Sequence, residues 1–250
     1  MVGAGRGWLR VGPDPRIAAW AAAALPVARR AVEQSDEEWR CGGTWFVGVE
    51  ALPNGPCGRM GDTDFPWPAL PLPPAPLHRG QLSVTRPGYP QPWPGEDDAG
   101  YRFRRNRDAA HLDGLLPVGP ARRRMVREPH AWILGLPLTQ CEAGAAPLVV
   151  WEGSHRLMRV ALERAFAGHD PAAWGEVDLT DAYKAARAEV FRQCRRVELP
   201  GRPGEAVVLH RHLIHGVAPW ATGAHAPPEG RMVAYFRPLL PSVADWIAAD

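Results

Sequence analysis

Lysine is almost missing from this chain: Lys184 is the only one among 29 basic residues, set against 27 acids, for a formal net charge of +2 and a pI near 8.5. So even a balance creates no global field, and composition points to neither nucleic acid nor an anionic membrane as partner. Cysteine is equally thin. Cys41, Cys57, Cys141 and Cys194 lie far apart with no Cys-x-x-Cys pair, which excludes a zinc knuckle or redox dithiol and leaves free thiols in a reducing cytoplasm as the expectation. Long apolar runs are missing too. The strongest, Ile17 to Ala28, opens on Asp14 and Pro15 as N-cap and first helical residue and is followed by Arg29 and Arg30. That is the start of a soluble helix rather than a signal core, and it is too short to span a bilayer. No internal repeat is present.

What the chain does contain is enough length, at 250 residues, for one large domain with a buried core. Residues 1–100 read as an N-terminal helix, Pro15 to Trp39, followed by an apolar run from Thr44 to Val49. Proline-rich loops then occupy Pro53 to Pro94, interrupted by a strand at Gln81 to Arg86. Residues 101–240 read as the core. Short apolar segments divided by turn signals fall at Tyr101 to His111, Ala131 to Leu138, Pro147 to Trp151, Val197 to Leu199, Ala206 to His210 and Met232 to Phe236. Strands at this spacing predict a mainly β sandwich or barrel. Asp181 to Cys194 is rich in helix formers and predicts an inserted helix.

His111-Leu112-Asp113 places an imidazole and a carboxylate two residues apart. On an extended strand both project from one face, roughly 6.5 Å apart at Cα, so both can reach one metal ion. Two histidines and one carboxylate on one face of an octahedral ion form the facial triad of non-haem Fe(II) oxygenases. Alone, the spacing is common, and a salt-linked strand end explains it as well. A second histidine must come from elsewhere, and the strand from Gly204 to Gly216 offers His210, His212 and His215. Spacing does not choose among them.

Three ordered stretches carry a resemblance. His111-Leu112-Asp113-Gly114, then Trp151-Glu152-Gly153-Ser154-His155-Arg156, then Leu213-Ile214-His215-Gly216-Val217-Ala218-Pro219 together resemble the phytanoyl-CoA dioxygenase-like family of Fe(II)/2-oxoglutarate-dependent oxygenases, over about residues 105 to 238. The resemblance implies a double-stranded β-helix, the jelly-roll or cupin-like barrel. It implies Fe(II) as metal with His111, Asp113 and His215 as ligands, and 2-oxoglutarate and O2 as co-substrates. His155 then belongs to a shared turn with a structural role. The far carboxylate of 2-oxoglutarate needs a cation, for which arginine's planar fork is suited. The family's position falls on Arg231, with Arg237 as the alternative; on that reading, loss of Arg231 weakens the co-substrate and loss of Arg237 does little. The implied reaction is hydroxylation of a small organic substrate with release of succinate and CO2. Asp113 favours this over halogenation, since related halogenases lack the carboxylate.

Other features have plainer readings. Arg104 and Arg105 stand in a run of eight arginines between Arg102 and Arg127 that reads first as a solvated face. Trp45, Phe46, Trp132 and Trp151 read as core before pocket. Thr139 and Gln140 end a strand and are candidates for bonding a ligand, whereas His78 and His130 have no partner at ligand spacing. The proline-rich first hundred residues are expected to help close the pocket. A non-catalytic or 2-oxoglutarate-independent cupin-like protein that binds a metal or ligand is the competing reading.

Overall fold

The computed structural model describes residues 5–248. In chain order its elements are β1 (Trp8–Val11), α1 (Pro15–Glu33), β2 (Trp45–Leu52), β3 (Gly80–Thr85), α2 (Asp98–Asn106), β4 (Leu115–Val118), β5 (Arg123–Val126), β6 (Trp132–Pro137), β7 (Leu148–Glu152), α3 (Ser154–Phe166), α4 (Thr180–Gln193), β8 (Arg195–Leu199), β9 (Ala206–His210), β10 (His215–Val217), β11 (Arg231–Phe236) and α5 (Val243–Ile247). None of these helices is long and apolar enough to cross a membrane.

All the strand pairings are antiparallel. Six strands form one sheet in the order β1-β9-β6-β11-β3-β2, three form a second in the order β10-β7-β8, and β4 and β5 make a separate hairpin. The ladders among the described residues thus divide into separate sheets rather than running continuously around a barrel. The expectation of a mainly β chain with an inserted helix, α4, matches this architecture.

Alternation along the strands explains the layers. Phe46, Leu82, Val84, Leu134, Leu136, Val208, Met232, Ala234 and Phe236 face outward from the six-stranded sheet and are covered by Ile17, Trp20, Ala21, Ala24 and Ala28, the apolar stripe of α1. Trp20 is fully buried, and its indole N–H donates to the Gly58 carbonyl at 2.8 Å. Truncating it to alanine would cost about 3–5 kcal/mol. Val149 and Trp151 face α3 and α4 on the far side of the three-stranded sheet. Between the sheets, Ile133, Leu148, Val150, Leu199, Leu209 and Leu213 form a smaller core that leaves room at one end.

Three sequence expectations are corrected. The segment from Tyr101 to His111 is not a strand: Asp97 caps α2 by accepting from the Gly100 amide at 2.7 Å, and strand-like pairing survives only at His111. The N-terminal helix ends at Glu33 rather than Trp39, because Ser35 starts a polar turn in which its hydroxyl accepts from the Glu37 amide. Gly153-Ser154-His155-Arg156 is the start of helix α3, with Gly153 in the left-handed region at φ 85° as its N-cap. The run from Thr44 to Val49 lies in strand β2, and β1, which the sequence reading did not include, joins it in forming the two edges of the large sheet.

Candidate metal centre

A single backbone bridge brings the two histidine segments together. His111 N donates to His215 O at 2.9 Å and His215 N donates to His111 O at 3.1 Å, so the two residues stand directly opposite as an antiparallel pair. Opposed residues project their side chains to the same face, and the rings lie 4.6 Å apart between centroids. Asp113, two residues beyond His111, follows on that face. The ligand atoms of His111, Asp113 and His215 all lie within 4.8 Å of one another; among the described residues they are the one such group of three.

Each imidazole is tethered from behind. His111 Nδ1 lies 2.9 Å from the Ala109 carbonyl and His215 Nδ1 lies 2.9 Å from the Leu213 carbonyl. A carbonyl only accepts, so Nδ1 carries the proton in both rings and Nε2 is turned to the common point, the arrangement usual for metal-bound histidine. Asp113 Oδ1 sits 3.0 Å from His111 Nε2 and 3.7 Å from His215 Nε2. Its other oxygen is held by Arg237 Nη1 at 3.0 Å.

The electrostatics suit a cation. Burial pushes the Asp113 carboxyl up, but His215, His111 and Arg237 outweigh it and hold the group well below the usual carboxylate range. Burial lowers the His215 imidazole to about 4, so it is neutral near pH 7. Burial also lowers His111, yet the hydrogen bond and charge of Asp113 prevail and raise it. An anionic carboxylate, a neutral His215 and a His111 whose Nε2 proton an incoming ion displaces are the donor set a divalent ion requires.

Two glycines permit this closeness. A Cβ on Gly216, the residue after His215, would lie 2.1 Å from the Asp108 carbonyl oxygen, and one on Gly114, after Asp113, would lie 2.4 Å from that of Glu128. The loop entering His111 is pinned by Asp108, which Arg196 grips with two bonds of 2.7 and 2.8 Å.

The cavity over the triad measures about 90 Å³ and is also lined by Trp45, Gln81, Ser83, Ile133, Tyr235 and Arg237. Arg231 opens β11 and lies six positions before Arg237, which directly follows that strand, so the two share a parity roughly 20 Å apart along extended chain. It is buried, and its Nη1 has no hydrogen-bond partner among the described residues. It lines a smaller cavity that shares Leu148 and Tyr235 with the one over the triad. Directly opposite Arg231 on β3 stands Thr85, and opposite Thr85 on β2 stands Trp45. Thr85 Oγ1 and Trp45 Nε1 are likewise buried without a partner.

The remaining candidates fall elsewhere. His155 is buried at the start of α3 against His210, and His212 packs edge-on against Trp246. Ser154, from the same stretch as His155, accepts from the Ile214 amide at 2.9 Å and so fixes the approach to His215. Thr139 accepts from the Met232 amide, and Gln140 lines a different cavity. Of the four aromatics only Trp45 reaches the triad cavity; Phe46, Trp132 and Trp151 are buried in the cores. Arg104, Arg123 and Arg127 pair with Glu96, Asp178 and Glu176 rather than lining a funnel. Sequence reasoning missed Tyr235, which shares strand parity with Arg231 and Arg237, and Gln81 and Ser83 of β3, which reach the site only through the pairing of β3 with β11. It also passed over His78, whose Nε2 accepts from the Arg237 amide at 2.7 Å.

No protein-family profile matches the chain, and no curated protein matches its sequence. Among solved structures it is similar to the non-haem alpha-ketoglutarate-dependent carbocyclase SnoK from nogalamycin biosynthesis, at 15% identity over 97% of this chain and 85% of that one, with a TM-score of 0.46. It is also similar to the alpha-ketoglutarate-dependent epimerase SnoN from the same biosynthesis, at 15% identity, 94% and 77% coverage and a TM-score of 0.49. EctD from S. alaskensis, solved with 2-oxoglutarate and 5-hydroxyectoine, is 16% identical, with 93% and 72% coverage and a TM-score of 0.43.

Proposed function

We propose that this chain is an Fe(II)- and 2-oxoglutarate-dependent dioxygenase that hydroxylates a small organic substrate, with His111, Asp113 and His215 as the protein ligands to iron and Arg231 as the anchor of the co-substrate's far carboxylate. The observation that carries this is the bridge between His111 and His215, which aims two tethered imidazoles and one carboxylate at a single point. The strand order supports it: β3-β11-β6-β9 in one sheet, with the His111 bridge, β10, β7 and β8 in the other, is the interleaving of a double-stranded β-helix.

The residues fit the groups they are asked to hold. Three ligands on one side leave other positions of an octahedral ion free for a chelating co-substrate and O2. Arg231 Nη1 and Thr85 Oγ1, buried and unpartnered on facing strands, provide a cation and a hydroxyl for a carboxylate entering from the triad side. Tyr235 and Leu148 line both the cavity at Arg231 and the one over the triad. Arg237 holds Asp113 by one oxygen, which keeps the other directed at the metal position. When bound, iron with 2-oxoglutarate and O2 supplies the oxidation of an unactivated C–H bond, yielding succinate and CO2 beside the hydroxylated product.

Mixing the protein anaerobically with Fe(II) and 2-oxoglutarate should produce a visible charge-transfer band that the Asp113→Ala and His215→Ala variants lose. Absence of the band in the unaltered protein removes the oxygenase reading and leaves the cupin-like binding protein in its place.

A further inference from the structure

Beside the triad lies an open cleft of about 490 Å³ that shares Arg237 and Gln81 with the lining of the triad cavity. We propose that this cleft is the substrate site and that it selects a molecule with an apolar body and a cationic amine, rather than an acid or acyl anion. The substrate class deepens the oxygenase reading, but the cleft's selectivity stands on its own residues.

The apolar part comes from exposure. Val49 and Leu239, each 62% exposed, are the most exposed large hydrophobic side chains among the described residues, and both line this cleft, along with Ala75, Pro76 and Pro238. Apolar surface left bare at the mouth of a cavity marks a place where another molecule is accepted. The backbone is shaped for it: β2 breaks its register between Gly48 and Leu52, and Glu50 is held at φ 53°, a strained conformation for a residue with a side chain. Bulges and strain of this kind collect beside functional sites.

The charge comes from what is free and what is taken. Arg237, the one arginine lining the cleft, has Nη1 bound to Asp113 and Nη2 to Gln81, and its Nε, which has no partner, is buried away from solvent, so an anion in the cleft meets no exposed guanidinium N–H. His78 donates from Nδ1 to the Arg79 carbonyl and accepts at Nε2 from the Arg237 amide, and burial pushes its pKa down, so it is neutral. Glu50 is exposed, and Glu128 is held below its ordinary pKa beside His130; both are anionic. His130 is 4% exposed, with Nδ1 against the Arg237 carbonyl at 3.1 Å. Its Nε2 faces Glu128 Oε2 at 3.2 Å, which leaves the other Glu128 oxygen to the cleft. Two carboxylates over an apolar rim complement an ammonium group on a hydrocarbon body.

The test uses the full chain without metal, so that it is independent of any oxidation. Octylammonium, octanol and octanoate are titrated by calorimetry, and the histidine ring protons are followed by NMR. Octylammonium should bind at least about tenfold more tightly than octanoate and should shift His78 and His130 while leaving His225 unmoved. Glu50→Gln and Glu128→Gln should each weaken it by about threefold, as expected of partly exposed charge pairs. Glu50→Lys should move the preference toward octanoate, and Leu239→Ser should weaken all three probes. Octanoate binding as tightly as octylammonium, or octylammonium binding that Glu50→Lys and Leu239→Ser leave unchanged, overturns the proposal. A protein without the charge-transfer band that still shows this selectivity keeps the cleft and loses the oxygenase.

Discussion

Arg231 and Arg237 share a parity along the chain yet have opposite situations, and their loss should be felt differently. Arg237 neutralises a carboxylate that is 11% exposed, so Arg237→Ala leaves Asp113 buried without its cation and should cost about 3 kcal/mol in urea melts of the metal-free protein. Arg237, the alternative anchor in the sequence reading, is thus already engaged with Asp113. Arg231 has no acid to abandon. Arg231→Ala should leave the melt within about 1 kcal/mol and instead weaken 2-oxoglutarate more than about tenfold in titrations of the metal-loaded protein. A large stability loss in Arg231→Ala with unchanged co-substrate affinity would move the anchor away from it. His78 gives a prediction in pH. Because burial holds its folded-state pKa below the ordinary 6.5, the unfolded chain takes up a proton that the folded chain refuses, and stability falls as pH drops below about 6.5. Between pH 7.5 and 5.5 the unaltered protein should lose more stability than His78→Gln, whose amide oxygen still accepts the Arg237 amide. His111 and Asp113 were legible as candidates because His-x-Asp is a local spacing, whereas His215 was singled out from His210 and His212 only by the family resemblance. Gln81, Tyr235, His78 and the Asp113–Arg237 pair were not, because each depends on which strands lie side by side.

The elements were legible where one local signal ruled. The segments now seen as β3, β6, β7, β9 and β11 were bounded by turns and rich in branched or apolar residues, and α4 was rich in helix formers. α2 was misread because Tyr101 and Phe103 alternate with arginines as on a strand, while its cap at Asp97 lay outside the segment considered. The start of α3 was misread because a left-handed Gly153 looks like a turn, and the helix follows directly. What that start does can be measured. Ser154→Ala strips the buried Ile214 amide of its acceptor and should cost about 1–3 kcal/mol. Gly216→Ala drives a methyl group into the Asp108 carbonyl and should cost about 3 kcal/mol or more, with loss of Mn(II) binding as β10 and His215 are pushed aside. A Gly216→Ala protein that binds Mn(II) normally would show that the close approach of these strands is dispensable.

At the scale of the whole molecule, a chain of mainly antiparallel strands was foreseeable from their spacing, but the order β1-β9-β6-β11-β3-β2 was not. It joins strands up to about two hundred residues apart, and no local pattern records such pairings. The N-terminal edge strand is the clearest instance: Trp8 pairs with Leu209 and Val11 with Ala206, although no strand was read ahead of the helix that starts at Pro15. Deleting residues 1–12 should uncover the hydrogen-bonding edge of β9 and produce concentration-dependent self-association in size-exclusion chromatography. A truncated chain that elutes unchanged at all concentrations would show that β9 is protected by other means.

The pairing of His111 with His215 has a consequence for time as well as place. The segment carrying His111 is tied to the small sheet by that two-bond bridge, by the Val217 amide donating to the Asp108 carbonyl at 2.8 Å, and by Arg196 of β8 on the Asp108 carboxylate, whereas β10 is seated against β7 along its length. The grip on an ion is thus divided between two jaws held from behind in different ways, His215 by a ladder and His111 with Asp113 by a few discrete links. Ion escape would be paced by the release of those links and the swing of the jaw they hold. An occupant of the neighbouring cleft that leans on Arg237 would slow that swing and lengthen the residence of the ion without touching it.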